Sequence, residues 1–320
     1  MILFVFKRFS QTLLVIALLS FVVYFCLGFM PGDPIDLLIT QNPKIKAEDI
    51  VRLKRTLGLD QPLYVRYFKW MKRALNGDMG ESRANKGWTT VDLIKQRIPR
   101  SLKLMIVSFF VSLVVAIPIG IYSSMKQYSL FDYFTNFSSF IGISIPSFWL
   151  GLMFIIIFAE KWQIFPASGL QSIGGGGLLD QMKHMVLPVI VLSIQSVGYW
   201  VRFMRSSMLE VLQRDYIRTA RSKGVDEDDI LFKHALKNAL IPVVTIVALS
   251  LPGLVSGALI TEQVFSIYGM GKLLYDSIIS VDYDVAMASF LFLAILTMFS
   301  NFLADILYAV VDPRIRYAGK

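Results

Sequence analysis

Residues 204–242 read MRSSMLEVLQRDYIRTARSKGVDEDDILFKHALKNALIP, and they lie between two long apolar runs. Met204, Met208, Leu212, Tyr216 and Ala220 recur at i, i+4 spacing, which predicts one apolar stripe along a helix. Arg205, Arg214, Arg218 and Arg221 fall off that stripe. Gly224 ends the helix. Asp226 is a good N-cap for a second helix, with Glu227, Asp228 and Asp229 in its first turn and Lys233 and Lys237 in its last. That order suits the helix dipole. The stretch therefore predicts a helix, a glycine turn and a second helix, with re-entry into the apolar phase at Ile241-Pro242. A loop that only kept charge in water would need neither caps nor a sharp turn. It reads as a docking element for a partner.

The rest of the chain is mostly membrane. Its 320 residues are 55% apolar, 13% aromatic and 17% charged, with a mean hydropathy of +0.59. A soluble domain carries more charge. Phe9–Phe29, Leu104–Tyr122, Tyr133–Ala159, Ala239–Thr261 and Val285–Val310 are apolar, and Met185–Met204 is a sixth, more polar stretch holding Ser193, Gln195, Ser196 and Arg202. Each is long enough to cross ~30 Å of hydrocarbon as a helix. Lys7 and Arg8 look like the start of a secretory signal. The apolar run after them is too long for one, and Met30-Pro31-Gly32-Asp33-Pro34 follows instead of a cleavage site. The expected class is an all-α polytopic membrane protein with six transmembrane helices and an uncleaved first helix.

Lys and Arg set the orientation. With the N-terminus inside, Lys7, Arg8, Lys126, the basic residues from Arg202 to Lys237, Arg314, Arg316 and Lys320 all fall inside. The short outer loops hold only Lys161, Lys183 and Lys272. Both termini are then cytoplasmic. The long segment from Met30 to Arg100 falls outside and escapes the rule by its length. The net charge of +9 reflects anchoring and this outer segment. Nucleic acid is a poor partner, since no basic helix stands free of the membrane. The expected divisions are 1–29 (N-terminus and first helix), 30–100 (outer helical segment), 101–311 (a five-helix core with the loop 204–240) and 312–320 (a cytoplasmic tail).

The outer segment has its own pattern. Ala47 to Leu57 has helical spacing and stops at Gly58, and Leu63–Leu75 repeats it before the Gly77-Asp78-Met79-Gly80 turn. Val91–Ile98 is a short amphipathic run ending at Pro99. The segment is either a cap on the outer face or a surface that a soluble partner touches. Several chemistries are excluded. The lone Cys26 allows no internal disulfide and no cysteine cluster, and His184 and His234 are too few for a zinc site. No metal site is expected. Gly174–Gly177 and Gly271-Lys272 lack the residues of a phosphate-cradling loop, so the chain itself binds no ATP in that way.

Proline and glycine recur inside the helices: Pro118 and Gly120, then Ser144-Ile145-Pro146-Ser147, then Pro188, then Pro242, Pro252, Gly253 and Gly257. They serve close packing or a hinged, solvated path. Their spread over four helices favours a path, with Ser144, Pro146, Ser147, Gln195, Ser196 and Asn301 as its candidate lining. Asn301 and Asp305 share a face, as an interfacial pair or a substrate contact.

Here a resemblance becomes specific. Asp215-Tyr216-Ile217-Arg218-Thr219-Ala220-Arg221-Ser222-Lys223-Gly224, then His234-Ala235-Leu236-Lys237-Asn238-Ala239-Leu240-Ile241-Pro242, resembles the cytoplasmic signature of binding-protein-dependent ABC importer permeases. Where the general motif has a Glu-Ala-Ala triplet, this chain has Arg218, Thr219 and Ala220, and the closing proline is displaced toward Pro242. Those departures are usual in the dipeptide, oligopeptide and nickel branch. Met30-Pro31-Gly32-Asp33-Pro34, Leu57-Gly58-Leu59-Asp60-Gln61-Pro62-Leu63, Gly77-Asp78-Met79-Gly80, Ser144-Ile145-Pro146-Ser147-Phe148-Trp149, Pro166-Ala167-Ser168-Gly169 and Asp312-Pro313-Arg314 are similar to the first permease subunit of that branch, oligopeptide permease B-like.

The resemblance implies a type I ABC importer transmembrane domain in the bacterial plasma (inner) membrane. It implies a second homologous permease subunit, two ABC ATPase subunits that hold ATP and Mg2+, and an extracytoplasmic substrate-binding protein. The chain itself would bind no cofactor and catalyse nothing. It would work by alternating access, with Arg218, Thr219, Ala220, Arg221, Gly224, Asp226, Asp228, Asp229 and His234 as the ATPase-coupling residues. Dipeptides, longer peptides, glutathione and nickel-type ligands stay open as substrates. A secondary transporter would need mid-membrane ion ligands and repeats, and a membrane enzyme would need a catalytic set; neither is evident.

Overall fold

The computed structural model describes residues 2–29, 47–56, 58–254 and 258–311. The expectations placed on Met30-Pro31-Gly32-Asp33-Pro34, Leu57, Gly257 and the 312–320 tail lie outside the described residues, as does the side chain of Asp305. The helices are α1 (Ile2–Gly28), α2 (Ala47–Thr56), α3 (Leu63–Leu75), α4 (Thr90–Met125), α5 (Leu130–Ser144), α6 (Ser147–Phe154), α7 (Gly177–Leu212), α8 (Asp215–Ser222), α9 (Glu227–Asp229), α10 (Leu236–Ser250), α11 (Leu259–Val264), α12 (Met270–Ile279) and α13 (Tyr283–Val311). Two π-helical pieces, Ile155–Lys161 and Ile230–Ala235, extend α6 and join α9 to α10. Among the described residues the sole β feature is the Glu81–Thr89 bridge.

Five stretches are long and apolar enough to cross a membrane: Val5–Gly28, Thr90–Met125, Gly177–Leu212, Glu227–Ser250 and Tyr283–Ala304. The pair Leu130–Ser144 and Ser147–Lys161 passes the same test only when taken together and is bent by 99° at its break, so the described residues hold five such helices, or six if the bent pair is one span. The cause of the bend is local. Pro146 disfavours the α conformation at the residue before it, and Ile145 sits at φ −75°, ψ 125°. The chain resumes its helix at once, with Pro146 as the cap of α6. Other prolines do not break their helices: Pro99 and Pro118 lie within α4, Pro188 within α7 and Pro242 within α10.

The structure therefore corrects three boundaries. The amphipathic run 91–98 does not end at Pro99 but continues into a 36-residue helix. The second loop helix does not stop before Ile241-Pro242; it runs unbroken from Glu227 through a π segment to Ser250. The apolar stretch Ala239–Thr261 ends as a helix at Ser250, with a 3-10 turn at Leu251–Leu254 and a separate short helix at Leu259–Val264.

Two compact units divide the chain. One comprises residues 1–100 and 268–302. Its core gathers Leu27, Trp70, Ala286, Met287 and Leu291, with a second cluster around Leu93, Ile94, Met270 and Leu273. The Ser20 and Tyr67 hydroxyls pair at 2.8 Å. Asp282 is buried there, and its Oδ2 accepts from Ser82 Oγ and from the Arg83 and Ala84 N–H groups at 2.7–3.1 Å, while its Oδ1 is buried without a hydrogen-bond partner. Donors converging on one oxygen offset part of the cost of burying the carboxylate.

The other unit comprises residues 101–267 and 303–320. Leu104, Leu187, Val191, Phe265 and Ile267 form one core, and Ala116, Trp200 and Val201 another. Glu262 is fully buried in this unit and accepts from Ser101 Oγ at 2.5 Å. α7 has 36 residues, which makes it about 54 Å long, well beyond the ~30 Å of a hydrocarbon core. The excess length is enough for one end of the helix to stand outside the apolar phase.

Candidate functional site

The 204–240 segment folds around one apolar cluster, which Ile117 and Ile121 of α4 and Val247 of α10 also pack against. Met204, Met208, Ile217, Ile230, Leu231, Ala235, Ala239 and Val243 are buried together. Ser207 Oγ donates to the Ala239 carbonyl at 2.7 Å and ties α7 to α10. Of the apolar stripe expected from the sequence, Met204 and Met208 are buried and Leu212 and Ala220 pack against them, while Tyr216 departs. α7 ends at Leu212 and α8 starts afresh at Asp215. That break rotates the register, so Ile217 is 0% exposed and Tyr216 is 44% exposed.

The turn itself is built by Gly224, with φ +74°. Nothing lies within 4 Å of the position a Cβ would take there, so the glycine answers to backbone conformation and not to crowding within the chain. Asp226 caps the next helix, its carboxylate accepting from the Asp228 N–H at 3.3 Å. Arg221 reaches across the turn and donates from Nε and Nη2 to Glu227 at 2.8 and 3.2 Å. Glu227 holds the Arg221 guanidinium above its usual pKa by that hydrogen bond. Lys233 pairs with Asp229 at 2.8 Å, and Arg218 stands 3.8 Å from Asp215.

Arg218, Thr219, Arg221, Gly224, Asp226, Asp228 and His234 are exposed, while Ala220 and Asp229 are half-buried. The acidic turn and the arginines of α8 thus meet at the Arg221–Glu227 pair. Glu227, which the sequence places in the first turn of the second helix, completes the turn by pairing with Arg221.

The path candidates divide between the units. Ser144, Pro146 and Ser147 form the elbow between α5 and α6, and Gln195 and Ser196 lie on α7 in the same unit. Gln195 Nε2 donates to the Ile145 carbonyl at 2.9 Å, the group that the break leaves without a helical partner. Ser144 Oγ donates to the Phe140 carbonyl at 2.8 Å and Ser196 Oγ to Leu192 at 3.3 Å. An open cavity of about 520 Å³ lies at the elbow, lined by Phe137, Phe140, Ser144, Pro146, Phe148 and Trp149 among others. Asn301 is on α13, in the other unit.

The buried acids went unnoticed in the sequence. Asp132, Glu262 and Asp282 have exposures of 2%, 0% and 1%. For Asp132 a signal existed: Ser129-Leu-Phe-Asp132 opens an apolar run as a capping box does, and Ser129 does cap α5.

Two family models cover most of this chain. The one described as the inner membrane component of binding-protein-dependent transport systems matches residues 116–317, and its N-terminal companion matches residues 1–104. The chain belongs to this family. Among curated relatives, the oligopeptide transport system permease protein AppB of Bacillus subtilis is 42% identical over 95% of both chains. A putative peptide permease protein of Brucella suis is 37% identical over 93% of this chain and 94% of its own. The dipeptide transport system permease protein DppB of Escherichia coli is 33% identical over 99% of each. Among solved structures, a chain from an inward-facing form of the MetNI methionine ABC transporter aligns with a TM-score of 0.54 at 20% identity, over 69% of this chain and 97% of that one. The fold of this permease is thus that of a type I ABC importer transmembrane domain, multi-pass in the inner membrane.

Proposed function

We propose that this chain is one permease subunit of an ATP-driven importer of peptides. The observation that carries the proposal is the 204–240 body. It is an ordered, capped, charge-bearing face turned at Gly224, held on the end of a helix that outruns the bilayer. A face of that kind suits a groove on a nucleotide-hydrolysing partner. Identity of 42% to a relative named for oligopeptide transport, and 33% to one named for dipeptide transport, supports peptides as the cargo over nickel or glutathione-like ligands.

In this reading both termini and the 204–240 body are cytoplasmic. A second homologous permease completes the path, two ABC ATPase subunits below it bind ATP and Mg2+, and a binding protein delivers substrate from outside. The chain's own residues perform no bond chemistry. They bind the ATPase through Arg218, Arg221, Gly224 and the 226–229 turn, and convert its closure into a change of access at the elbow. The test is reconstitution. The permease purified with its genomic partners should retain ATPase subunits, and proteoliposomes should accumulate peptides at the expense of ATP. Retention of the ATPases with uptake of nickel but not of peptides would overturn the cargo; failure to retain them would overturn the docking role.

A further inference from the structure

α5 and α7 approach each other more closely than side-chain packing requires. A Cβ on Gly198 of α7 would stand 2.6 Å from the Ser139 carbonyl oxygen of α5, and one on Gly142 of α5 would stand 3.1 Å from the Ile194 carbonyl oxygen of α7. The Arg202 guanidinium lies over the Phe140 ring at 4.5 Å. Gln195 holds the elbow carbonyl of Ile145. The tie points on α7 are 194–195, 198, 202 and 205. They recur at three to four residues, so they form one continuous seam.

The last tie is ionic. Arg205 Nε and Nη2 donate to the two oxygens of Asp132 at 2.6 and 2.7 Å. Asp132 also accepts from Ser123 Oγ at 2.5 Å, from the Tyr128 N–H at 3.0 Å and from Asn136 Nδ2 at 2.9 Å. The one carboxylate therefore fastens the end of α4, the turn after it and the first turn of α5 to α7. A buried ion pair is poor evidence for stability, because desolvation consumes most of its attraction. What it adds is a fixed geometry, since the guanidinium fork meets the carboxylate in one orientation. Arg205 stands beside Met204 and three residues before Met208, which are buried in the core of the loop body.

We propose that Asp132 and Arg205 are positioning residues for transport. They make the loop body, α7 and the α5–α6 elbow a single rigid lever, so that a displacement of the loop reaches Ser144–Pro146 without being absorbed between the helices. This rests on the reading that an ATPase grips the loop.

The experiment uses the complete importer in proteoliposomes. Spin labels replace the exposed Phe134 of α5 and Tyr199 of α7 in a Cys26→Ser background, with the ion pair intact. Their distance should be the same with and without trapped ATP; a shifted or split distribution overturns the lever. A second arm removes both charges together, Asp132→Asn with Arg205→Met, so that no buried charge is stranded. ATPase subunits should be retained and ATP hydrolysis kept, while peptide moved per ATP falls about tenfold. Arg205→Lys, which keeps the charge and loses the fork, should fall between. Unchanged peptide per ATP in the double variant overturns the proposal, and so does loss of ATPase retention in step with transport, which would make the pair merely structural. Failure of the unaltered permease to retain its ATPases is a different result and removes the docking reading itself.

Discussion

Gly224 bears the most constrained role of any single residue in the loop. Its φ of +74° is a conformation that costs an L-residue roughly 1–2 kcal/mol. Because no atom lies within 4 Å of its would-be Cβ, bulk adds no further cost inside this chain. Alanine and leucine at 224 should therefore lower the thermal stability of the isolated permease alike. If a partner groove closes over the turn, only Gly224→Leu should also lose the ATPase subunits during purification, while Gly224→Ala keeps most of them. Equal retention by the two variants would place the contact elsewhere on the body. Arg221 and Glu227 make the complementary case. Both are exposed, so their pair contributes about 0.2–1 kcal/mol, and its use is to hold the turn's shape.

At the scale of elements, the acidic turn and the elbow are separable. Asp226 caps a helix, and losing such a cap costs about 1 kcal/mol. Asp228 and Asp229 follow it in the first turn. Reversing these two to lysine should weaken retention of the ATPases more at low salt than at high, because exposed charges are screened over about 10 Å at 0.1 M. Retention equal to wild type at low salt would leave the turn with capping alone and move the docking face to Arg214–Arg221. The elbow is held twice, by Pro146 and by Gln195 on the Ile145 carbonyl. Pro146→Ala alone should preserve most of the uptake, since the hydrogen bond still holds the break. Combined with Gln195→Leu it should lose more than the two single changes added together, by about 1 kcal/mol in a double-mutant cycle on uptake. Simple additivity would mean that the two do not hold the same bend.

Over the whole molecule, the proposed six-crossing topology puts successive loops on opposite sides. In a Cys26→Ser background, cysteine at Lys126 or Lys223 should react with an impermeant reagent only from the cytoplasm, and cysteine at Asn76 or Gly175 only from outside. Labelling of position 223 in intact cells would reverse the orientation and remove the docking reading with it.

The sequence by itself determined the class, the position of the apolar stretches and the place of the ordered loop. Each depends on composition or on a short-range period: roughly twenty apolar residues per span, lysine and arginine asymmetry, a glycine between capped helices. It also placed the interruption at Ser144–Ser147, because a proline constrains its own neighbour. Only the tertiary structure decided the rest. Pro99 and Pro242 carry the same local signal as Pro146 yet lie inside unbroken helices, since packing on adjacent helices can offset one lost hydrogen bond. Ile217 replaces Tyr216 in the loop core because α8 restarts after Leu212, and a register is set by what the helix packs against. Asp132, Glu262 and Asp282 look like ordinary polar residues in the chain. They become buried centres through Arg205, Ser101 and Ser82, which stand 73, 161 and 200 positions away from them. No period in a sequence carries that information; only the folded chain brings an acid to its donors.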